Sequence, residues 1–299
     1  MTAKINLGPV LFHWPPEDLR DFYFRIADEA PVDGVCLGEA VCSKRAPFFE
    51  PYFGEVAERL ERAGKEVVVS TLALVIDDRE MATVRAAVAS AWPVEANDVS
   101  CVALMRGRPH MIGPFINVYN EGVLRYLVDN GAVRVSLPAE LPAGSLAVLA
   151  GATGTELEVQ VFGRLPLALS ARCYHARCHN LPKTSCQYVC AEDPDGMDVF
   201  SVDGEPFLAV NGTQTMSYTY CNLLGELAEM QEMGIQGFRL WPHRVDMVAV
   251  AAVYRGVLEG RTDAGGATAR LAELMHGTAF SNGFYHAKEG VAFVGAIGE

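Results

Sequence analysis

Short apolar runs alternate with amphipathic helical stretches along most of the chain, and this alternation leaves few folds open to it. Eight runs have the length and composition of strands, and helical periodicity follows most of them. The predicted strands are 5–12, 34–38, 66–71, 93–97, 110–113, 133–137, 156–162 and 237–240. Eight strands that alternate with helices predict an α/β fold, a (β/α)8 TIM-like barrel. An open doubly wound sheet is the structural alternative.

The first predicted helix shows the signals on which the helices rest. It begins at Pro15-Pro16, has acidic residues in its first turn, and then repeats apolar residues with helical spacing. These apolar residues are Leu19, Phe22, Tyr23 and Ile26. The same periodicity predicts helices at 99–105, 121–130, 145–152 and 223–233.

The alternation is interrupted between the seventh and the eighth predicted strand. This stretch holds a cysteine-rich run and a strand-like region at 197–219. We therefore predict one domain over 1–299, with a cysteine-rich insertion after strand seven at about 170–220.

Charge and hydropathy exclude some classes of function. The chain of 299 residues has a formal net charge of −13, and nucleic-acid binding depends largely on Lys and Arg. The N-terminus lacks an apolar segment after a basic start, and no stretch has the roughly 20 apolar residues of a spanning helix. We expect a cytoplasmic protein that binds no nucleic acid and has no transmembrane segment.

The eight cysteines are the strongest chemical signal. Disulfides are rare in a reducing cytosol, so clustered cysteines there indicate metal ligands or reactive thiols. Three of them form the pattern Cys173-x12-Cys186-x3-Cys190, and Cys178 lies within the same run. Three thiolates in one loop, completed by a fourth from elsewhere, suit an iron–sulfur cluster or zinc.

Cys42 is the best candidate for the fourth ligand. It lies just past the end of the second predicted strand, and the cysteine loop follows the end of the seventh. In a barrel both positions are on the face where the βα loops meet. A four-cysteine zinc site remains open, although zinc sites usually show two close cysteine pairs.

The other thiols and two histidines have less defined roles. Cys36, Cys101 and Cys221 lie in apolar contexts that are typical of buried thiols. Cys178 is either a replacement ligand or a spare thiol. His175 and His179 are possible ligands, but loop histidines are more often solvated or hydrogen-bonded.

Several longer motifs resemble the ubiquinone-biosynthesis members of the collagenase-like peptidase superfamily. They are Leu7-Gly8-Pro9-Val10-Leu11, Gly38-Glu39-Ala40-Val41-Cys42-Ser43-Lys44-Arg45, Ser70-Thr71-Leu72-Ala73-Leu74-Val75, Ser170-Ala171-Arg172-Cys173 and Asn211-Gly212-Thr213-Gln214-Thr215-Met216-Ser217. The resemblance implies a TIM-barrel-like domain and a 4Fe-4S cluster. Its ligands would be Cys42, Cys173, Cys186 and Cys190, and Cys178 would be a spare thiol.

The resemblance also implies a function and partners. The chain would form a heterodimer with a second iron–sulfur protein of the superfamily and support oxygen-independent hydroxylation of the ubiquinone ring. A small hydroxylated metabolite such as prephenate would donate the oxygen, and a lipid-binding accessory protein would carry the ring precursor. The alternatives are RNA hydroxylation and a non-catalytic electron-transfer or structural role.

No catalytic residue is assigned from the sequence. The zinc-protease pattern His-Glu-x-x-His is absent, and no nucleophile has an evident base, so we expect no protease activity. Polar residues near predicted strand ends are pocket candidates: Glu39, Asn97, Asp98, Asn117, Tyr119, Asn120, Glu140, Arg164 and Arg239. The two arginines would suit substrate carboxylates, and the alternative is that this set forms salt bridges or hydrogen bonds that close the barrel top.

Overall fold

A computed structural model describes residues 3–295, so the first two and last four residues of the predicted domain lie outside the described range. Within that range the strands are β1 (Lys4–Leu7), β2 (Gly34–Leu37), β3 (Glu66–Ser70), β4 (Val94–Ala96), β5 (His110–Ile112), β6 (Ala132–Ser136), β7 (Glu156–Leu169), β8 (Met197–Phe200), β9 (Pro206–Asn211), β10 (Gln214–Asn222), β11 (Gly237–Leu240) and β12 (Phe280–Ser281).

The helices lie mainly between the strands. They are α1 (Pro16–Glu29), α2 (Ala46–Arg62), α3 (Asp78–Ala89), α4 (Val99–Met105), α5 (Glu121–Asp129), α6 (Ala143–Ala150), α7 (Tyr174–Cys178), α8 (Leu227–Met233), α9 (Met247–Leu258) and α10 (Ala264–Leu274). Side chains of Asp77, Asp98 and Asn120 cap three of them by accepting a backbone N–H of the first turn. No helix of the described chain is long and apolar enough to cross a membrane.

Eight parallel strands close into a barrel. β1 to β7 pair in chain order, and β11 pairs in parallel with both β1 and β7. The predicted barrel is confirmed, and the alternative of an open sheet is wrong because β11 joins the two ends.

Two predicted boundaries differ because of pairing that lies outside the barrel. The predicted seventh strand ends at 162, whereas β7 runs to Leu169, since its second half pairs antiparallel with β10. The helix predicted over 223–233 begins at Leu227, because the chain makes a turn at 224–226 as it leaves β10. β8, β9 and β10 form an antiparallel extension of the sheet, and the cysteine-rich segment lies between β7 and β8.

Ion pairs occupy the interior of the barrel, where aliphatic side chains are more usual. The Arg239 guanidinium is 2 % exposed, lies 2.5 Å from the Glu158 carboxylate and also pairs with Glu95 on the opposite side of the barrel. Nearby, Arg134 pairs with Glu66 at 2.8 Å and with Glu156. Arg239 is therefore committed to structural ion pairs, which corrects its prediction as a carboxylate-binding pocket residue.

An indole closes the C-terminal end of the barrel interior. Trp241 is buried and packs over the Arg239 guanidinium at 5.4 Å from the ring centroid. Gly163 makes room for it, because a Cβ there would lie 2.7 Å from the Trp241 Cβ and φ is +106°.

Candidate metal centre

Cys42, Cys173, Cys186 and Cys190 line one small cavity on the C-terminal face of the barrel. Cys42 belongs to the loop between β2 and α2, and the other three belong to the segment that follows β7. The structure thus brings together thiols that are up to 148 residues apart, counting from 42 to 190. Their role as metal ligands stays a prediction.

Short turns place the three thiols of the cysteine-rich segment. The Cys173 Sγ accepts the Ala176 N–H at 3.5 Å and so caps α7. Between Cys186 and Cys190, both Gln187 (φ 52°) and Tyr188 (φ 56°) adopt left-handed backbone conformations. This double turn reverses the chain, and the x3 spacing therefore aims both thiols at the same cavity.

Two cationic side chains of the Cys42 loop lie beside the thiols. The Lys44 Nζ is 3.7 Å from the Cys186 Sγ and donates to the Lys183 carbonyl oxygen at 2.7 Å. Arg45 is 4 % exposed and donates to the Leu11 carbonyl oxygen at 2.8 Å. These charges would offset the negative charge of a thiolate-ligated group, because opposite charges at short range attract strongly in a poorly solvated site.

Burial sets the protonation of two of these thiols. It raises the pKa of Cys42 and of Cys190, and the positive charge of Arg45 only partly opposes that rise. Both thiols are therefore protonated at neutral pH in the free chain. Metal binding would release their protons, because the thiolate is the ligand.

Glu39 orients the loop that carries Cys42. Its carboxylate accepts the backbone N–H of Val41 at 2.7 Å and of Cys42 at 2.9 Å. Burial raises the pKa of Glu39 above its ordinary value, and the charge of Arg45 and these two hydrogen bonds offset that rise only in part. The residue thus acts on the loop backbone, which is a role that the sequence motif did not reveal.

His175 holds the cysteine-rich segment in place. Its side chain is fully buried, its Nδ1 accepts the Gly212 N–H at 2.9 Å, and its Nε2 lies 2.9 Å from the Asp193 carboxylate. Because Nδ1 accepts, Nε2 carries the proton and donates to Asp193. Both ring nitrogens are engaged, so His175 is the hydrogen-bonded histidine that the sequence analysis gave as an alternative to a metal ligand.

The turn between β9 and β10 joins three segments around the cavity. Asn211 donates to the Leu11 carbonyl oxygen at 2.7 Å, and the Thr213 hydroxyl donates to the Val41 carbonyl oxygen at 3.1 Å. The Gly212 carbonyl oxygen accepts the Tyr174 N–H at 2.8 Å. This turn belongs to a motif that supports the resemblance, and in the fold it fixes the two cysteine-bearing loops relative to each other.

The remaining cysteines do not line this cavity. Cys36, Cys101 and Cys221 are buried elsewhere, as expected from their apolar contexts, and Cys178 is exposed. Cys36 lies inside the barrel, 3.8 Å from both the Glu95 carboxylate and Arg239.

The polar pocket candidates mostly bond within the fold. Asp98 and Asn120 cap helices, and Tyr119 donates to Glu140. Arg164 donates to the Ser217 carbonyl oxygen at 3.0 Å and lies 3.5 Å from Asp198. The alternative in which these residues close the barrel top is thus the better description of them. Asn97 and Asn117 line a separate cavity between α4 and α5.

A pair between buried His243 and half-buried Asp195 escaped the sequence analysis. His243 Nδ1 lies 2.7 Å from the Asp195 carboxylate, and His243 Nε2 accepts the Arg164 N–H at 3.1 Å. The Tyr220 hydroxyl also donates to Asp195. The pair attaches the end of the cysteine-rich segment to the loop after β11. Only a spatial arrangement identifies it, because its members are dispersed along the chain.

The chemistry of the four thiols suits more than one group. Soft thiolates with adjacent cations can hold an iron–sulfur cluster or a zinc ion. Among residues 3–295, no group of three or more His, Cys, Asp or Glu side chains has the geometry of a metal site. The identity of a bound group therefore stays a prediction.

One comparison with known proteins bears on the whole chain. The family model described as "Peptidase family U32" matches residues 17–293, which include seven of the eight barrel strands, all four candidate ligands and the antiparallel extension. The chain therefore belongs to peptidase family U32, the family of the collagenase-like peptidases.

Proposed function

We propose that this chain is the iron–sulfur subunit of an oxygen-independent hydroxylase that acts on the ubiquinone ring, similar to UbiV of the anaerobic pathway. The observation that carries the proposal is the meeting of Cys42 with Cys173, Cys186 and Cys190 at one cavity. Those four positions are the ones that the resemblance assigns to the cluster, and they come from two distant loops.

The proposed cofactor is a 4Fe-4S cluster held by these four thiolates. When bound, such a cluster supplies electron transfer, and four cysteine ligands leave no iron open to a substrate. Lys44 and Arg45 would balance its charge, and His175 would keep the loop around it closed. Spectroscopy that reveals an open iron would contradict this assignment.

The reaction would replace a ring hydrogen with a hydroxyl group. With a hydroxylated donor R–OH such as prephenate, Ar–H and R–OH give Ar–OH and R–H, so that no molecular oxygen is required and atoms and electrons balance. We propose a UbiU-like partner as the second subunit and a lipid-binding accessory protein that carries the ring precursor.

A second candidate is a non-catalytic electron-transfer or structural partner, with the chemistry in the other subunit. Trp241 and Arg239 are compatible with it, because both are buried and contact each other at the end of β11, so neither is available to a substrate. Hydroxylation of RNA is less well supported, since the net charge of −13 disfavours binding to the phosphate backbone of a nucleic acid.

Iron content tests the proposal most directly. Anaerobically purified protein should contain close to four irons and four sulfides per chain, with an optical spectrum of a 4Fe-4S cluster. Cys42→Ala should lose most of the iron, whereas Cys178→Ala should retain it, because the Cys178 thiol is exposed and outside the cavity. Zinc in place of iron, or equal iron in both variants, would contradict the cluster assignment.

Activity separates the two candidate functions. Ring hydroxylation should be measured in complexes reconstituted from both subunits. In each complex, residues that line the candidate pocket of one subunit are replaced by variants that still hold the cluster. Loss of activity only when the partner's pocket is changed would favour the structural role for this chain.

A further inference from the structure

A cavity of about 590 Å³ adjoins the four-cysteine cavity and extends between α2 and α3. Its volume lies within the roughly 300–1,000 Å³ range of small-molecule sites. Lys44, Arg45 and Tyr188 line both cavities, so the two share a wall. We call it the α2–α3 cavity.

The helices leave this space open because of the side chains that they present. α2 packs on α1 and α3 packs on α4, but α2 and α3 are not packed against each other in the same way. α3 lines the cavity with small side chains at i, i+3, i+4 and i+7, which are Thr83, Ala86, Ala87 and Ser90. Phe49 and Phe53 of α2 line it from the other side.

The part of the cavity between the helices suits an elongated apolar chain. It extends along α3 from Arg79 to Ser90, roughly 16 Å at 1.5 Å per residue. Phe53 and Trp92 form an edge-to-face pair within its wall, with ring centroids 5.3 Å apart. The two helices contribute two charged lining residues, Glu50 of α2 and Arg79 of α3, and the Arg79 side chain is 65 % exposed.

The end beside the cysteines has a different character. His13 packs against Phe48 at 5.2 Å and against Tyr188 at 5.6 Å between ring centroids. Burial, and secondarily the charge of Arg45, lower the pKa of His13 to about 4. The ring is therefore neutral at pH 7 and provides one donor and one acceptor for an uncharged polar group.

A second gap in the ring of helices does not adjoin the four-cysteine cavity. The cavity between α4 and α5 has a volume of about 480 Å³ and, like the α2–α3 cavity, a wall of mixed apolar and polar residues. It has no lining residue in common with the four-cysteine cavity. The α2–α3 cavity is therefore distinguished by the wall that it shares with the four thiols.

We propose that the α2–α3 cavity binds a small polar ring that bears an isoprenoid-type chain. The chain lies between α2 and α3, and the ring lies beside His13 and Tyr188, next to the four-cysteine cavity. This inference rests on the proposed function, because it takes the substrate of that reaction as the ligand. The inference gives the apolar chain and the polar ring of the ligand separate binding positions in this protein.

Equilibrium dialysis with a synthetic phenol that carries a C15 isoprenoid chain tests the proposal on the anaerobically purified full chain. Ala87→Phe should weaken binding about tenfold or more, equivalent to about 1.4 kcal/mol, because the added ring occupies the space of the chain. Ala82→Phe is the matched control, since Ala82 is exposed on the same helix and does not line the cavity. It should bind as the unaltered protein does.

Two further arms identify the ligand class. The unsubstituted phenol should bind far more weakly than the prenylated one, and a fatty acid of the same length should not compete. His13→Phe should abolish the preference for the prenylated phenol over its methyl ether. The variant should still bind the isoprenoid part of both molecules. Thermal unfolding of each variant should show that the fold is retained.

Equal binding by Ala87→Phe and Ala82→Phe would overturn the proposal, and so would tighter binding of the fatty acid. The iron assay is separate. If the protein binds the prenylated phenol but holds no cluster, the binding site is supported and the proposed function is refuted. If the protein holds its cluster but does not bind the prenylated phenol, only the binding site is refuted.

Discussion

The imidazole of His175 accepts the backbone N–H of Gly212 at 2.9 Å and so joins the cysteine-rich segment to the turn between β9 and β10. The same ring donates to Asp193, near the other end of that segment. One buried side chain thus binds both Gly212 and Asp193, which lie 37 and 18 residues after His175 in the chain. Four predictions concern this arrangement and its surroundings.

His175→Ala should destabilise the metal-free protein by roughly 2–4 kcal/mol, because it leaves a buried N–H and a carboxylate without their partner. Urea unfolding at pH 7 measures the change. His179→Ala is the control, since His179 is partly exposed and should change stability by less than about 0.5 kcal/mol. Equal losses in the two variants would show that His175 does not hold the segment.

Gly212→Ala should be more destabilising than Gly204→Ala, although both glycines have positive φ. A Cβ on Gly212 would lie 2.8 Å from the Arg45 Nη2, whereas nothing lies within 4 Å of one on Gly204. Arg45 cannot easily move, because Leu11 and Asn211 hold its guanidinium. We expect about 1 kcal/mol for Gly204→Ala from backbone conformation alone, and roughly 2–4 kcal/mol for Gly212→Ala. Urea midpoints of the two variants provide the comparison.

Asp195 should make stability depend on acid pH. Burial would raise the pKa of this carboxyl, but contact with His243, the hydrogen bond from Tyr220 and the charge of Arg164 lower it from 3.8 to about 2. A folded-state pKa below the unfolded value stabilises the fold above the unfolded pKa, and that contribution is lost as pH falls toward the folded pKa.

The contribution of Asp195 is therefore about 2 kcal/mol, present above pH 4 and lost between pH 4 and 2. Asp195→Asn should lower the free energy of unfolding at pH 7 by about that amount and remove this part of the acid sensitivity. Urea unfolding of both proteins between pH 2 and 7 measures the difference. A difference that does not change with pH would contradict the assignment.

Arg239→Met should cost roughly 3–5 kcal/mol, because it leaves Glu95 and Glu158 buried without their cation. Adding Glu158→Gln should recover part of the loss, since one unpaired negative charge is then removed. Arg270→Met, which breaks an exposed pair with Glu273, should cost less than about 1 kcal/mol. Chemical unfolding of the three variants decides whether the barrel interior needs this cation.

Local periodicity predicted much of the fold. The helix at 99–105 and the strand at 237–240 have the predicted bounds, because each is set by residues that are near neighbours in sequence. The second half of β7 escaped prediction, because its partner β10 is about 50 residues away and its residues carry no separate helix or strand signal of their own. Pairing partners, rather than propensity, decided that boundary.

The candidate site divides in the same way. Thiol spacing and motif resemblance pointed to Cys42, Cys173, Cys186 and Cys190, and these residues line one cavity. Arg239 looked like a pocket arginine from its position at a strand, whereas the fold surrounds it with carboxylates. For His175 the sequence left a metal ligand and a hydrogen-bonded side chain open, and only the fold identified its partners, Gly212 and Asp193.

The amino-acid sequence by itself determined the order of strands and helices, the acidic balance and the identity of the thiols, because these depend on residue types and on spacing over a few turns. Tertiary structure alone decided which side chains share a volume. It closed the barrel through β11, filled the barrel end with Trp241 and left a cavity between α2 and α3. The physical reason is that burial and ion pairing depend on contacts between residues that are far apart in the chain, and no local pattern encodes those contacts.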